Sequence, residues 1–135
     1  MTVADPSALA QALAAIRFDA DGLVPAIAQQ HDTGEVLMLA WMNRESVTAT
    51  LTGGRVTYWS RSRRALWRKG DESGQVQELV DFRIDCDGDT LLLLVDQTGV
   101  ACHTGRRSCF YTAARADGLV EVAPVEVDPK ELYRR

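Results

Sequence analysis

The sequence has few of the features that mark several large classes of protein. It contains three cysteines, an odd number that suits a disulfide framework poorly, and only two histidines, His31, interpreted as a turn residue, and His103. No apolar run approaches the ~20 residues that a membrane helix needs. The N-terminus also lacks the basic segment and apolar core of a secretory signal. These absences favour a cytoplasmic protein that has no membrane partner.

Length and charge narrow the classes further. The chain has 135 residues, of which 46% are hydrophobic and 25% charged; these values predict one globular domain over residues 1–135 and argue against intrinsic disorder. The formal net charge of −4 argues against a nucleic-acid partner, because nucleic-acid-binding domains are usually basic. Basic residues are nevertheless concentrated at 61–69 and acidic ones at 85–89, which indicates a small anionic ligand held at one place.

The apolar pattern predicts a β-rich chain with a few short helices. The N-terminal segment, residues 1–21, contains an Ala/Leu-rich helix that Ser7 would cap, and Asn43 would cap a second helix. The tail, residues 119–135, is interpreted as an edge strand or a loose segment. Strands are predicted at residues 23–30, 35–41, 55–60, 75–86, 90–95, 100–103 and 108–112.

Cys86, Cys102 and Cys109 are candidate metal ligands. Three thiolates can hold Zn²⁺ with the fourth tetrahedral position open to water, as in catalytic zinc sites. One alternative is that the cysteines are small buried apolar side chains. Another is a closed site with His103 as the fourth ligand, but the side chains of adjacent residues diverge on extended backbone. We therefore interpret His103 as an acid/base group beside the metal.

Asp85, Asp87 and Asp89 form an alternating acidic motif. Closely spaced carboxylates suit Mg²⁺, and the alternative is a solvated acidic turn. If the segment is extended, Cys86 points away from both flanking aspartates, so one chain would not easily bring all of them to one site. A symmetric homodimer removes this conflict, because one chain can supply the aspartates and the other Cys86.

The segment SRSRRALWRKGDESG, residues 60–74, is long for a simple connection and is interpreted as a functional loop. Arginine forks bind phosphate oxygens in a bidentate manner, and serine hydroxyls and glycine amides complete such a cradle. The alternative is a solvated charged loop in which the tryptophans serve packing. The predicted substrate-binding residues are Arg61, Ser62, Arg63, Trp67, Lys69, Gly70 and Ser73.

Several of these segments occur together in a known family. The stretches HDTGEVLMLAWMNRES, YWSRSRRALWRKGDESG, DCDGD and CHTGRRSCFY resemble phosphoribosyl-AMP cyclohydrolase of histidine biosynthesis, over about residues 22–112. Because no pyrophosphohydrolase domain follows, the chain resembles the single-function form. The resemblance implies hydrolytic opening of the adenine ring of N1-(5-phosphoribosyl)-AMP between N1 and C6, which gives the formimino-aminoimidazole carboxamide ribonucleotide.

The resemblance also implies a fold and a metal centre. The fold would be a mixed β-sheet folded on itself as a pseudobarrel, capped by short helices, in an intertwined homodimer with shared active sites. Zn²⁺ would lie on Cys102 and Cys109 of one chain and Cys86 of the other, and Mg²⁺ on the three aspartates. Zinc would lower the pKa of bound water towards about 7 for attack at C6, and His103 would accept or relay the proton. Mg²⁺ and the basic loop would position the two 5′-phosphates and the ribose hydroxyls.

Two other functions stay open at this stage. One is a zinc-stabilised binding module for a phosphorylated nucleotide, and the other is a nucleotide deaminase. Zinc deaminases attack the same purine carbon with H-x-E and P-C-x-x-C motifs, neither of which occurs in this sequence.

Overall fold

A six-stranded mixed sheet is the main feature of the computed structural model, which describes residues 1–133. Across the sheet the strand order is β4-β3-β2-β1-β6-β5, with β1 and β6 parallel and the other neighbours antiparallel. The prediction of a β-rich chain with a mixed sheet is confirmed. In chain order the strands are β1 (Val24–Gln30), β2 (Val36–Met42), β3 (Thr57–Ser60), β4 (Ala65–Arg68), β5 (Gln77–Ile84) and β6 (Leu91–Gln97).

The sheet curls back on itself as a half-barrel. Residues just before β3 bond to β5, which lies near the opposite edge of the sheet. The Val56 N–H donates to the Gln77 carbonyl at 3.0 Å, and the Leu79 N–H donates to the Gly54 carbonyl at 2.8 Å. The right-handed twist of neighbouring strands permits such curling. The expectation of a sheet folded on itself is therefore confirmed at this level.

The core lies against one face of the curled sheet, because alternate residues of the central strands are buried. In β1 the apolar ones are Val24, Ala26 and Ala28, and in β6 they include Leu91 and Leu93. Burying a large aliphatic side chain stabilises a fold by about 1.5–3 kcal/mol. The parallel β1–β6 pair therefore contributes much of the apolar packing that stabilises the sheet.

Two helices cover this core. Helix α1 (Pro6–Ala15) is capped by the side chain of Asp5, which accepts a hydrogen bond from the Ser7 N–H at 3.0 Å. Ser7 was thus wrongly predicted as the cap, because proline suits the first helical position and shifts the start. Helix α2 (Arg44–Gly53) begins at its predicted cap, Asn43. None of the helices within residues 1–133 is long and apolar enough to cross a bilayer.

The segment after β6 differs most from the sequence prediction. Residues 100–111 form a compact loop, called the thiol loop below, where strands were predicted at 100–103 and 108–112. Its main chain bonds to itself, since the N–H groups of Ala101 and Cys102 donate to the Arg107 and Arg106 carbonyls at 3.0 and 3.1 Å. A tight turn therefore replaces the sheet pairing that alternating residues suggested.

The C-terminal part adds a small hairpin and a short helix. Strands β7 (Thr112–Arg115) and β8 (Gly118–Glu121) pair antiparallel in a sheet of their own, and α3 (Pro129–Leu132) follows. The tail is thus partly strand, and its last two predicted positions lie outside the described residues. The segment predicted as a polar loop at 60–74 also contains strand β4, in which Leu66 and Trp67 pair with residues of β3.

Candidate functional site

A cleft of about 580 Å³, called the β4 cleft below, lies beside β4 and the turn that follows it. It brings together six of the seven predicted substrate residues: Ser62, Arg63, Trp67, Lys69, Gly70 and Ser73. Sequence reasoning missed five further lining residues: Ser60, Arg68, Asp71, Glu72 and Tyr133. The first four belong to the same polar segment and could have been included on that ground. Tyr133 is distant in sequence, and no motif signalled it.

Arg61 lies apart from the other six. It lines a second cleft, of about 320 Å³, together with residues that include Asp21, Asn43 and Arg64. Its guanidinium carbon is 4.5 Å from the centroid of the Trp41 ring, a distance suited to cation–π attraction. The turn between β3 and β4 therefore presents arginines to two separate clefts.

Packing behind the β4 cleft fixes its shape. Trp67 lies opposite the buried Tyr58 across the strand pair, with ring centroids 5.0 Å apart. Gly70 has φ of +90°, and a Cβ there would lie 2.6 Å from the backbone of Val76. Only glycine tolerates both conditions. The Gly74 N–H donates to the Gly70 carbonyl at 2.8 Å, which closes the turn under the cleft.

Lys69 connects this cleft with the thiol loop. The residue is only 9% exposed, and its Nζ donates to the carbonyl of Ala101 at 2.7 Å. Burial lowers the pKa of the Lys69 ammonium, and negative charge on Cys109 and Cys102 opposes this shift. Lys69 therefore lines the cleft and also bonds to the thiol loop, at the residue before Cys102.

The thiol loop brings Cys102 and Cys109 together. The Thr104 hydroxyl donates to Cys102 Sγ at 3.0 Å, and the Cys109 N–H donates to the Leu37 carbonyl at 2.7 Å. Burial and the adjacent Cys102 raise the pKa of the Cys109 thiol to about 12, although Cys109 keeps exposed surface as a residue. Two neighbouring sulfurs are the arrangement that would supply two of the four ligands of a tetrahedral thiolate site.

Arg107 anchors the thiol loop to the sheet. Its Nη1 donates to the Gln97 carbonyl at 2.9 Å and also to the Gly99 carbonyl, and its Nη2 donates to Gln30 Oε1 at 2.9 Å. Its Nε donates to Glu35 Oε1 at 3.3 Å. One guanidinium thus joins the ends of β1 and β6 to the loop that carries the thiols. This role is not evident from the sequence, where Arg107 reads only as a turn residue.

The acidic turn, residues 85–89, follows β5. One carboxylate oxygen from each of Asp85, Asp87 and Asp89 lies within 4.8 Å of the others, and within residues 1–133 this is the one set of three potential metal-ligating side chains so close together. Asp85 Oδ1 accepts hydrogen bonds from the N–H groups of Asp89 and Thr90 at 3.0 and 3.3 Å. The Gly88 carbonyl accepts from the Arg17 N–H at 2.8 Å, so the turn is held by the segment after α1.

The three carboxylates perturb one another. Partial desolvation raises the pKa of Asp85, but hydrogen bonds from Asp89 and from the amides of Asp89 and Thr90 outweigh it and lower that pKa overall. Hydrogen bonds with Asp87 and Asp85, followed by desolvation and their negative charges, raise the pKa of Asp89. Such crowding suits a hard divalent cation, which would stabilise three ionised carboxylates at once.

Cys86 and His103 are the two remaining residues of the predicted site. Cys86 is exposed in the acidic turn and, among the described residues, forms no close three-ligand set with Cys102 and Cys109. His103 is exposed directly after the buried Cys102, in a turn closed by the Gly105 N–H donating to the Cys102 carbonyl at 3.0 Å. One chain therefore places Cys102 and Cys109 close together, with the exposed His103 next to Cys102 in the sequence, while Cys86 belongs to the acidic turn.

Comparison with known proteins bears on what this arrangement does. The family model described as phosphoribosyl-AMP cyclohydrolase matches residues 38–111, which is more than half of the chain. A phosphoribosyl-AMP cyclohydrolase of Rhodospirillum centenum is 76% identical over 120 residues, covering 89% of this chain and 90% of the relative. The same-named protein of Paramagnetospirillum magneticum is 73% identical over 126 residues, covering 93% and 96%. These matches confirm the resemblance carried by the sequence motifs.

Proposed function

Because the chain belongs to the phosphoribosyl-AMP cyclohydrolase family, we propose that it opens the adenine ring of N1-(5-phosphoribosyl)-AMP by hydrolysis between N1 and C6, an early step of histidine biosynthesis. The observation that carries this proposal is the position of Lys69. It lines the β4 cleft, yet its Nζ donates to Ala101, the residue before Cys102. The cleft that suits a phosphorylated nucleotide therefore adjoins the pair of thiols that suits a metal.

The metal centre would be Zn²⁺ on Cys102 and Cys109 of one chain and Cys86 of a second, in a homodimer. The neighbouring sulfurs, the Thr104 hydroxyl donating to Cys102, and the nearby Lys69 ammonium all suit thiolate ligands. The position of Cys86 outside that pair supports its supply by a partner. When bound, zinc supplies a Lewis acid that lowers the pKa of water into the neutral range.

His103 would handle the proton. Its imidazole follows Cys102 in a closed turn and remains exposed, so it can reach the water that attacks C6. Alkylation of N1 makes the purine ring cationic and C6 electrophilic, and addition at C6 then requires a base for the proton of water. Histidine is the side chain whose ordinary pKa suits this task near neutral pH.

The remaining predicted residues would hold the substrate. Arg63, with the serine hydroxyls and glycine amides of the β4 cleft, would bind one phosphate, and Trp67 would form an apolar wall. Arg61 would bind phosphate from the second cleft, where its guanidinium lies over Trp41. Mg²⁺ on Asp85, Asp87 and Asp89 would bind substrate oxygens, which its remaining coordination positions favour.

An ultraviolet assay on phosphoribosyl-AMP tests this function. Metal-stripped protein is expected to be inactive and zinc-restored protein active, with ring opening and no release of ammonia. Cys102→Ser and Cys109→Ser should lose both zinc and turnover, whereas His103→Ala should lose turnover and keep its zinc. Ammonia release would indicate a deaminase. Zinc-loaded wild-type protein that binds AMP and leaves phosphoribosyl-AMP intact would indicate a binding module.

A further inference from the structure

The C-terminal segment, residues 112–133, is held against the thiol loop by backbone geometry. The Gly105 carbonyl accepts hydrogen bonds from the N–H groups of Glu126 and Val127 at 2.8 and 3.1 Å. Gly105 has φ of +84°, and a Cβ at this position would collide with the Val127 carbonyl oxygen. Glycine is therefore needed both for the backbone conformation and for this close approach.

Arg106 fixes the same segment through its side chain. Its Nε donates to the Ala123 carbonyl and its Nη2 to Glu121 Oε2, both at 3.0 Å. Its guanidinium carbon lies 3.9 Å from the centroid of the Tyr111 ring, and its side chain is only 12% exposed. Because Arg106 belongs to the thiol loop, the position of the C-terminal segment is determined by the loop that carries the cysteines.

This segment delivers Tyr133 to the β4 cleft. Asp128 caps α3 by accepting a hydrogen bond from the Lys130 N–H at 3.0 Å, and Leu132 is 3% exposed. Tyr133 is the next residue. It lines the β4 cleft together with Arg63, and it is 52% exposed to solvent. The buried leucine anchors the chain, and the tyrosine remains available at the cleft.

The chemistry of the Tyr133 side chain matches a bound nucleotide. Burial, followed by the negative charge of Glu72, raises the pKa of its phenol, so the hydroxyl keeps its proton and can donate. Arg63 lines the same cleft as Tyr133, so the cleft offers a guanidinium as well as the phenol. A phenol hydroxyl and a guanidinium that line one cleft are two donors suited to a phosphate.

We propose that Tyr133 contacts the substrate directly, with its hydroxyl donating a hydrogen bond to the phosphate that Arg63 holds and its ring closing the C-terminal side of the β4 cleft. The assignment rests on the proposed function for the identity of the substrate. It makes the C-terminal segment part of the binding site, although this segment lies beyond the motifs that carried the family resemblance.

The test compares Tyr133→Phe and Tyr133→Ala in the zinc-loaded full chain, with Leu119→Ala as a control on the same segment, since Leu119 is 78% exposed. A hydrogen bond to a charged group contributes about 1.5–3 kcal/mol, so Tyr133→Phe should raise KM for phosphoribosyl-AMP about 10-fold or more. kcat should change far less than KM. Tyr133→Ala should raise KM further, and the control should match wild type.

A second measurement does not depend on turnover. In a His103→Ala background, which is expected to keep zinc and lose turnover, binding of phosphoribosyl-AMP followed by tryptophan fluorescence should weaken in the Tyr133 variants by about the same factor as KM rises, with unchanged zinc content. Unaltered KM and affinity for phosphoribosyl-AMP in both variants would overturn the proposal, as would a fall in kcat at constant KM. If the affinity depends on Tyr133 while the protein with His103 present leaves phosphoribosyl-AMP intact, the contact stands and the proposed function fails.

Discussion

Two inactive variants should restore activity to each other if the metal centre is shared between subunits. Cys86 lies in the acidic turn, outside the Cys102–Cys109 pair of its own chain. A mixed dimer of a Cys86→Ser chain and a Cys102→Ser chain has one site that carries both changes and one with three intact cysteines. Random association makes half of the dimers mixed, so about one quarter of wild-type activity is expected in a twofold-symmetric dimer.

The two variants are unfolded together in denaturant with a reductant, refolded with zinc, and assayed for turnover of phosphoribosyl-AMP and for zinc per chain. The matched control mixes Cys102→Ser with Cys109→Ser. In the proposed centre these two cysteines come from the same chain, so their mixed dimers would contain no intact site and should stay inactive. Mixed dimers detected by native mass spectrometry without recovered activity in the first mixture would refute the shared centre, and so would equal recovery in both.

Three further results follow from the described geometry. Gly105→Ala should destabilise the protein by about 2–4 kcal/mol in urea unfolding. The control is Gly22→Ala, which should cost only about 1 kcal/mol, because Gly22 has φ of +75° but no neighbour within 4 Å of an added Cβ. Equal losses of stability would contradict the docking of the C-terminal segment. Lys69→Met should weaken zinc binding by about 10- to 100-fold in chelator competition, because it removes a buried charged hydrogen bond. Lys130 is exposed, so Lys130→Met should leave zinc affinity unchanged. Equal zinc affinities in the two variants would contradict this role of Lys69. The folded state raises the pKa of Cys109 from 9.0 to about 12, so the folded protein holds this proton more tightly than the unfolded chain does. The free energy of unfolding of the metal-free protein should therefore fall as pH rises from about 9 towards 12. Cys109→Ser should flatten that decline in urea midpoints measured across this range, and an unchanged decline would refute the assignment.

Local sequence signals were sufficient for the parts of the fold that local chemistry determines. Alternating burial in β1 follows from its apolar pattern, and Asn43 caps α2 as its hydrogen-bonding side chain predicts. The strand predicted at 100–103 failed because its amides bond within the thiol loop, a pairing that periodicity does not encode. Strand β4 was missed because its exposed, partly basic residues pair with β3 without an apolar alternation.

The candidate site was predictable where its residues are close in sequence. Six residues of one segment meet in the β4 cleft, and the aspartates of one turn meet in the acidic cluster. Tyr133 lines the same cleft although it is distant in sequence from the other lining residues. Arg61 lines the second cleft although it is next to Ser62 in the sequence. Neither outcome depends on residue type, because both follow from how a turn or a segment is directed in three dimensions.

The thiol loop shows why its motif is so specific. Adjacent arginines act in different directions, since Arg107 bonds to the ends of β1 and β6 while Arg106 bonds to the C-terminal segment. Gly105, which lies between Cys102 and Arg106 in the sequence, permits the close approach of the C-terminal segment. Each of these loop residues therefore meets a separate steric or hydrogen-bonding requirement. A substitution in this loop is therefore expected to disturb the thiol pair, the contacts with the sheet and the position of the C-terminal segment together. Loss of activity there identifies a chemical role only when zinc content and folding stability are measured on the same variant.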